Sequence, residues 1–286
     1  MDILFTDKDG KEYLEEDVYQ ALKSVNADDC DALFIHSDVT FGMAPTDFNK
    51  KEYLSALYNS IQKLNVHYLI VPTFTYSFCN HEDYDVKKSR TSMGAFNEFL
   101  RKLPNRYRTL DPLLSISVPS DLKIYFDHIS EHSLGKGSGL DVVHNSKFGK
   151  VKFLFFGARL YDCFTYLHYV EKMKEVPYRF DMAFSGKVTN EQGQVHERTQ
   201  YIHTACTGVT LREDTRFEDY LIEAGYLKKV RLGDSFVSCI SEEDAYREIN
   251  QALERDINHF LMYPFRESEL IKKYTYDPSK KSITHC

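Results

Sequence analysis

His168 and Glu171 are the pair of residues in this sequence whose types and spacing most directly suggest chemistry. They lie three residues apart in the stretch FTYLHYVEKMK, residues 164–174, which has the apolar pattern of an amphipathic helix. Residues three apart on a helix share a face, so the carboxylate can reach the imidazole and orient it. An imidazole held in this way can accept a proton from a nucleophile near neutral pH. Two polar residues on a solvated helix face have the same spacing, so the pair alone leaves both interpretations open.

A second group of candidate residues follows the apolar run LFIHS. Ser37, Thr40 and Gly42 lie at or just beyond the end of this run, which the pattern predicts to be a buried strand. Hydroxyl groups and exposed backbone amides at such a position can hold phosphate oxygens. A plain strand-to-helix turn has the same composition, so this segment too has a structural interpretation.

The elements that must position these residues alternate between strand-like and helix-like segments. DALFIHSD, VHYLIVPTFT, LLSISVP and GKVKFLFFGA are strand-like; EEDVYQALKSVN, KKEYLSALYNSIQKLN and GAFNEFLRKLP are helix-like. This order predicts an α/β fold with a mixed or parallel central sheet covered by helices. Because KFLFFGA leads directly toward the helix of His168, the pair is expected beyond the carboxyl end of a strand, where open α/β sheets bind ligands.

The second half of the chain predicts a hairpin over residues 178–206, around the turn signal NEQGQ, and a long charged helix, SEEDAYREINQALERDINHFL. No composition shift marks a boundary, so we expect a single domain over residues 1–286 with a polar C-terminal tail at 262–286.

Composition excludes several classes of protein. A formal net charge of −7 disfavours a general electrostatic grip on nucleic acid. The N-terminus does not have the pattern of a signal peptide, and no apolar run approaches the roughly 18 residues that span a bilayer, so we expect a cytoplasmic protein without a membrane partner. Six scattered cysteines form no CxxC pair and are expected to be free thiols, and the histidine spacing predicts no metal site.

Five segments, taken in order, resemble the aminoglycoside 3-N-acetyltransferase family. They are LFIHS, LIVPTFTYSF, TSMGAFNEFLRKLPNRYRTLDPLLSISVPS, GKGSGL and KVKFLFFGARLYDCFTYLHYVE. The resemblance implies an acetyl-CoA-dependent N-acyltransferase with an α/β fold of its own, distinct from the common N-acetyltransferase fold. It implies that His168 is the general base and Glu171 its orienting partner. The positions it implies for coenzyme A binding are His36, Ser37, Thr40, Gly42, Thr73 and Phe74.

The acceptor side departs from the pattern of the family. Asp111 stands where histidine is usual, and Gly139 follows Ser138 where proline is usual. The stretch ERTQYIHTACTG lacks the acidic residues of aminoglycoside-acetylating members and carries His203 instead. We therefore expect Asp111, Ser138 and His203 to contact an amino sugar less cationic than an aminoglycoside, such as a single-amine sugar linked to a nucleotide. Asp111 as a turn residue before Pro112, and His203 as a side chain on a half-buried strand, stay open as structural interpretations.

Three other functions fit parts of the sequence. They are acetylation of aminoglycosides themselves, non-catalytic binding of coenzyme A or a sugar, and metal-dependent hydrolysis by His168, Glu171 and His203. The sequence leaves the oligomeric state open, a homodimer included.

Overall fold

A seven-stranded mixed sheet forms the centre of the protein in the computed structural model, which describes residues 3–46 and 49–273. The strands are β1 Phe5–Thr6, β2 Glu12–Tyr13, β3 Ala32–Ser37, β4 Tyr68–Pro72, β5 Tyr84–Asp85, β6 Arg106–Arg108, β7 Ile116–Pro119, β8 Val151–Phe156, β9 Arg179–Thr189, β10 Val195–Ala205, β11 Lys228–Leu232 and β12 Ser235–Ser241. The helices are α1 Glu15–Ser24, α2 Lys50–Gln62, α3 Gly94–Arg101, α4 Lys123–Phe126, α5 Gly139–His144, α6 Leu160–Cys163, α7 Tyr166–Met173, α8 Arg216–Glu223 and α9 Glu242–Arg255. Short 3₁₀ turns occur at Phe78–Asn80, Ser120–Leu122 and Glu267–Glu269.

The order of strands in the large sheet is β11-β12-β8-β3-β4-β7-β6. The central strand β3 runs parallel to both β8 and β4, and the outer strands join in antiparallel pairs. The predicted mixed sheet flanked by helices is therefore confirmed. Parallel strands with helices on both faces are buried throughout, which explains why ALFIHS and VKFLFF read as nearly continuous apolar runs.

The two faces of the sheet carry two separate hydrophobic clusters. Phe34 of β3 and Phe153 of β8 lie in the cluster that also packs against α7 and α9. Leu33 and Leu154, one residue along each strand, lie in the cluster that packs against α1, α2 and α3. Successive side chains of a strand point to opposite faces, so each strand contributes to both clusters. The α7 face is the one that carries the candidate catalytic pair.

The predicted hairpin is present as β9 and β10, which pair antiparallel from Arg179↔Ala205 to Thr189↔Val195, and β5 adds to β9 in parallel. The predicted long C-terminal helix is present but ends early, at Arg255. Asp256 has an extended backbone, with φ −151° and ψ 109°, and its carboxylate accepts a hydrogen bond from the amide of Asn258 at 2.9 Å. Residues 256–260 therefore form a turn, and this turn contributes to the cavity described below.

The chain leaves β8 through Gly157, whose φ of 80° lies in the left-handed region that favours glycine. A Cβ atom at this position would collide with the carbonyl oxygen of Asp38, so the close approach of the two strand ends requires glycine. None of the helices within the described ranges is long and apolar enough to cross a membrane. Of the predicted polar tail, residues 274–286 lie outside the described residues, while Ile271 forms a bridge with Thr207.

Candidate active site

The pair that the sequence singled out is formed and buried. His168 and Glu171 lie on α7, with exposed fractions of 8% and 0%, and 2.7 Å separates Nδ1 of the imidazole from Oε2 of the carboxylate. A carboxylate can only accept a hydrogen bond, so we assign the ring hydrogen to Nδ1, although Nη2 of Arg179, which can only donate, also lies 2.9 Å from this atom. That assignment leaves Nε2 with the lone pair. The pair therefore does not lie on a solvated helix face.

Two residues just after α7 complete the surroundings of Glu171. Tyr178 donates its hydroxyl hydrogen to Oε1 at 2.8 Å, and Nε of Arg179 lies 2.7 Å from Oε2. The second contact is an ion pair without the alignment of a hydrogen bond. Burial opposes ionisation of Glu171, but Arg179, His168 and Tyr178 together outweigh it and lower the pKa of this carboxyl to about 2.

The imidazole of His168 is held in its neutral form. Burial lowers its pKa, and the Arg179 guanidinium lowers it further, while the hydrogen bond and charge of Glu171 act in the opposite direction. A neutral imidazole with a free Nε2 lone pair is the form that can accept a proton.

His168 forms part of the wall of a cavity of about 380 Å³. Three segments distant in the chain build this wall: residues 160–168 on α6 and α7, residues 211–218 leading into α8, and residues 256–260 after α9. Phe217 packs edge-on against Phe260, with ring centroids 5.0 Å apart, and so gives the wall an apolar part beside its polar residues. The volume suits a small molecule.

The cavity wall is rich in carboxylates. It contains five carboxylate side chains and two guanidinium groups, namely Asp162, Glu213, Asp214, Glu218, Asp256, Arg212 and Arg216. Glu218 is 3% exposed; its Oε1 pairs with Nζ of Lys229 at 2.8 Å, whereas its Oε2 is without a hydrogen-bond partner among the described residues. An unsatisfied buried carboxylate oxygen is costly, so Glu218 can accept one further hydrogen bond from a donor that reaches it.

These acidic residues are the part of the site that the sequence analysis missed. It looked for carboxylates in ERTQYIHTACTG, whereas three of the carboxylates that line the cavity occur a few residues further on, in the run REDTRFED at residues 212–219. The charge of that run was the available signal. Asp256 gave no such signal, because it falls within what the pattern predicted to be a continuous helix.

The residues predicted to bind coenzyme A lie around the ends of β3 and β4, and His36 and Ser37 point to opposite sides. The ring of His36 stacks on Phe155 at 5.3 Å and meets the edge of Phe164 at 6.1 Å, and burial lowers its pKa to about 3. Ser37 donates to the side-chain oxygen of Asn97 at 2.8 Å. His36 therefore lies behind Phe164, one aromatic layer away from the cavity.

The other four predicted coenzyme positions differ in accessibility. Thr40 is exposed and donates to Asp38 at 2.8 Å, while Gly42 packs against the backbone of Thr6. Thr73 and Phe74 are buried, and the hydroxyl of Thr73 accepts a hydrogen bond from Arg108 at 3.1 Å. Their role in coenzyme binding stays a prediction.

The three residues predicted to bind the acceptor are all buried and bonded to the protein. Asp111 accepts from the amides of Leu113 and Leu114 at 2.8 and 2.9 Å, which is the turn geometry weighed as its alternative, and burial raises its pKa. Ser138 caps α5 by accepting from the amide of Asp141. Nδ1 of His203 lies 2.9 Å from the carboxylate of Asp181, and burial lowers the pKa of this histidine to about 4. Of the described residues predicted for the site, His168 alone lines the cavity.

Cysteine chemistry and metal chemistry find little support at this site. Desolvation raises the pKa of the Cys163 thiol in the cavity wall far above its usual range, so the thiolate that a nucleophile needs is disfavoured. The five described cysteines are free, and Cys286 lies outside the described residues. Across residues 3–46 and 49–273 there is no group of three or more His, Cys, Asp or Glu side chains that could hold a metal ion.

A neutral imidazole in the wall of a cavity, on an α/β scaffold, is suited to general-base chemistry. A family model described as aminoglycoside 3-N-acetyltransferase matches residues 53–254, which is most of the chain. The chain belongs to this family, so the predicted class, an N-acetyltransferase that uses acetyl-CoA, is confirmed. No curated protein sequence is significantly similar to the chain.

Solved structures of low sequence identity share the fold. YokD from Bacillus subtilis is 14% identical, with 86% of this chain and 94% of that chain covered and a TM-score of 0.67. AAC-IIIb in a binary complex with CoASH is 17% identical over 88% of this chain and 99% of that one, with a TM-score of 0.67. Sisomicin-bound AAC-VIa is 15% identical over 85% and 98%, with a TM-score of 0.69.

Proposed function

We propose that the protein acetylates an amine of a cationic amino sugar, with acetyl-CoA as the donor and His168 as the base. The observation that carries the proposal is the position of His168: its imidazole is neutral, is oriented by Glu171, and lies in the wall of a cavity that five carboxylates also line.

The arrangement of charges supports separate binding positions for the acceptor and for acetyl-CoA. Asp162, Asp214 and Glu218 of the wall pair with Arg159, with Arg212 and Arg216, and with Lys229, so five carboxylates outnumber these four cations by one. This negative excess fits the ammonium groups of the acceptor better than the phosphate groups of coenzyme A. We place those phosphates toward the predicted segment at Ser37 and Thr40, on the other side of the β3 end. Bound acetyl-CoA supplies the thioester carbonyl that the amine attacks.

The chain's own contribution is proton transfer and orientation. An ammonium group has no lone pair, so the acceptor first loses one proton to solvent and attacks as the free amine. The nitrogen becomes positively charged as its bond to the thioester carbon forms, and Nε2 of His168 accepts the second proton. Glu171 holds the Nδ1 hydrogen and stabilises the positive charge that then forms on the ring. Carboxylates of the wall, Glu218 among them, hold the other ammonium groups of a polyamine and so orient the reacting one.

This charge pattern favours a polycationic acceptor over the nucleotide-linked sugar that the stretch ERTQYIHTACTG suggested. A diphosphate linkage would face the same carboxylates, and the two guanidinium groups of the wall, Arg212 and Arg216, already pair with Asp214. Polycationic and nucleotide-linked acceptors are therefore expected to interact with the wall carboxylates in opposite ways, by attraction and by repulsion.

Release of free thiol from acetyl-CoA should be followed with sisomicin, with glucosamine and with UDP-glucosamine as acceptors. We expect the highest kcat/KM with sisomicin. The Glu218→Gln variant should raise the KM for sisomicin by about tenfold, since a charge-assisted hydrogen bond contributes about 1.5 kcal/mol. Glu223→Gln, at the exposed end of the same helix, is the matched control and should behave like the parent. Preference for UDP-glucosamine would refute the proposed acceptor, and no thiol release with any of the three would favour the non-catalytic alternative.

A further inference from the structure

Arg179 occupies a position in the site that the base and its orienting carboxylate do not explain. It is the first residue of β9, is 8% exposed, and touches both members of the pair. Its Nε lies 2.7 Å from Oε2 of Glu171, and its Nη2 lies 2.9 Å from Nδ1 of His168. A guanidinium is always charged at ordinary pH, so it adds a fixed positive charge to a buried site.

The charge balance of the site depends on this group. Glu171 is fully buried and ionised, and a buried carboxylate requires a positive partner. The available partners are the guanidinium of Arg179 and the imidazole of His168. If Arg179 were absent, the carboxylate would draw a proton onto His168 and hold it as an imidazolium, a form with no lone pair to accept a further proton.

We propose that Arg179 is a positioning residue that acts as the permanent counter-ion of Glu171 and thereby leaves His168 as a neutral base. The inference rests on the proposed function, since it assigns a role in the same proton transfer. The charge of Arg179 balances that of Glu171, so the carboxylate does not need a positive imidazole as its partner. The ring of His168 is therefore uncharged when the reaction begins.

Two contacts of Nδ1 require opposite tautomers of the His168 ring. Nδ1 of His168 lies between a group that can only accept, Glu171, and a group that can only donate, Arg179, and one ring nitrogen cannot satisfy both. The base-competent tautomer donates from Nδ1 to Glu171. The guanidinium is also held independently of the ring nitrogen, because Nη1 of Arg179 donates to the carbonyl oxygen of His203 at 3.3 Å and its Nε pairs with Glu171.

The fixed charge also bears on the second half of the transfer. After the ammonium group has lost its first proton to solvent, the carbon–nitrogen bond forms and the second proton passes from the nitrogen to Nε2. Nε2 then gives this proton to the sulfur as the carbon–sulfur bond of the thioester breaks. While His168 holds that proton, two positive groups face one carboxylate, so Arg179 favours its onward transfer. The other charged and titratable residues that line the same cavity include Asp162, Glu213, Asp214, Glu218, Asp256, Arg212, Arg216 and His259.

The test is the titration of His168 by nitrogen NMR of protein labelled at its imidazole nitrogens, with His168→Ala used to identify the signal. In the parent, we expect a neutral ring at pH 7 with the hydrogen on Nδ1. In Arg179→Met, the pKa of His168 should rise by about 1 to 3 units, because Glu171 then acts on the ring without opposition. Arg198→Met is the matched control, since that guanidinium bonds to Ser130 and Gln200 and not to the pair. An unchanged titration in Arg179→Met would overturn the proposal.

Two further variants guard against a simple failure to fold. Arg179→Lys keeps the charge, so His168 should stay neutral at pH 7; an imidazolium there would contradict the counter-ion role. Arg179→Met combined with Glu171→Gln removes both charges, and its imidazole should again be neutral at pH 7.

Kinetics give a second readout. The acidic limb of kcat/KM should move to higher pH in Arg179→Met, whereas an equal loss at every pH would indicate a merely structural role and would count against the proposal. The titration requires no turnover, so absence of acetyl transfer in the parent would refute the proposed function and leave the titration result standing.

Discussion

Replacement of His168 by alanine tests the central element of the site. The imidazole is the group in the cavity wall that combines a free lone pair with an orienting carboxylate, so its loss removes general-base catalysis. Such catalysis contributes about 10² to 10⁴ in rate. Since each factor of ten corresponds to about 1.4 kcal/mol of activation free energy, the expected loss is about 3 to 5 kcal/mol in the transition state.

The fold should survive this change. Glu171 keeps its contacts with Tyr178 and Arg179, and the variant loses one hydrogen bond to a charged group, about 1.5 to 3 kcal/mol of stability. Binding of acetyl-CoA should be nearly unchanged, because the predicted coenzyme segment is built from β3 and β4 and not from α7. We therefore expect kcat to fall while calorimetric titration with acetyl-CoA gives the parental affinity.

His203→Ala is the matched control for this experiment. His203 is also buried and also held by a carboxylate, Asp181 at 2.9 Å, but it does not line the cavity. Both variants should be compared by thiol release with the acceptor preferred by the parent. A kcat within about threefold of the parent in His168→Ala, or an equal loss in His203→Ala, would refute the assignment of the base.

Two further outcomes concern stability. The folded-state pKa of His36, about 3, lies below its usual value of about 6.5. As pH falls from about 6.5 toward 3, the unfolded chain therefore binds a proton that the folded protein does not. The free energy of unfolding should drop by up to about 1.4 kcal/mol per pH unit over this range. In urea titrations from pH 7 to 4.5, His36→Phe, which suits the surrounding phenylalanines, should remove this pH dependence of the free energy of unfolding. His128→Gln, at an exposed histidine, should leave it unchanged. If the free energy of unfolding of His36→Phe fell with pH as steeply as that of the parent, the assigned burial effect would be contradicted. Glu171→Gln leaves Arg179 buried without its carboxylate and should cost about 3 to 5 kcal/mol of stability at pH 7 in the same measurement. A loss below about 1 kcal/mol would mean that the ion pair is not the partner that Arg179 requires.

Several features of the protein could be predicted from local sequence alone. The runs ALFIHS and VKFLFF are apolar throughout because both faces of the sheet are covered, and their length and composition identify them as buried strands. The three-residue spacing of His168 and Glu171 placed the two side chains on one helix face. The order of the short motifs along the chain indicated the family. Each of these signals involves residues close together in the sequence or in a fixed order.

The limits of the sequence analysis appear at His36 and at the acidic residues. His36 and Ser37 are neighbours in the same motif, but the pleat of β3 directs His36 into the aromatic layer and Ser37 to the opposite side, toward Asn97. The wall carboxylates come from segments nearly 100 residues apart, and only the packing of α6, α8 and the turn after α9 brings them around one cavity.

The sequence by itself determined the fold class, the family and the pairing of His168 with Glu171, because periodicity and short-range spacing act through local backbone geometry. The tertiary structure alone decided that the imidazole meets a carboxylate-lined cavity and that Arg179 balances the charge of Glu171. Burial and the resulting pKa changes depend on which distant segments exclude water from a side chain, and local spacing does not contain that information.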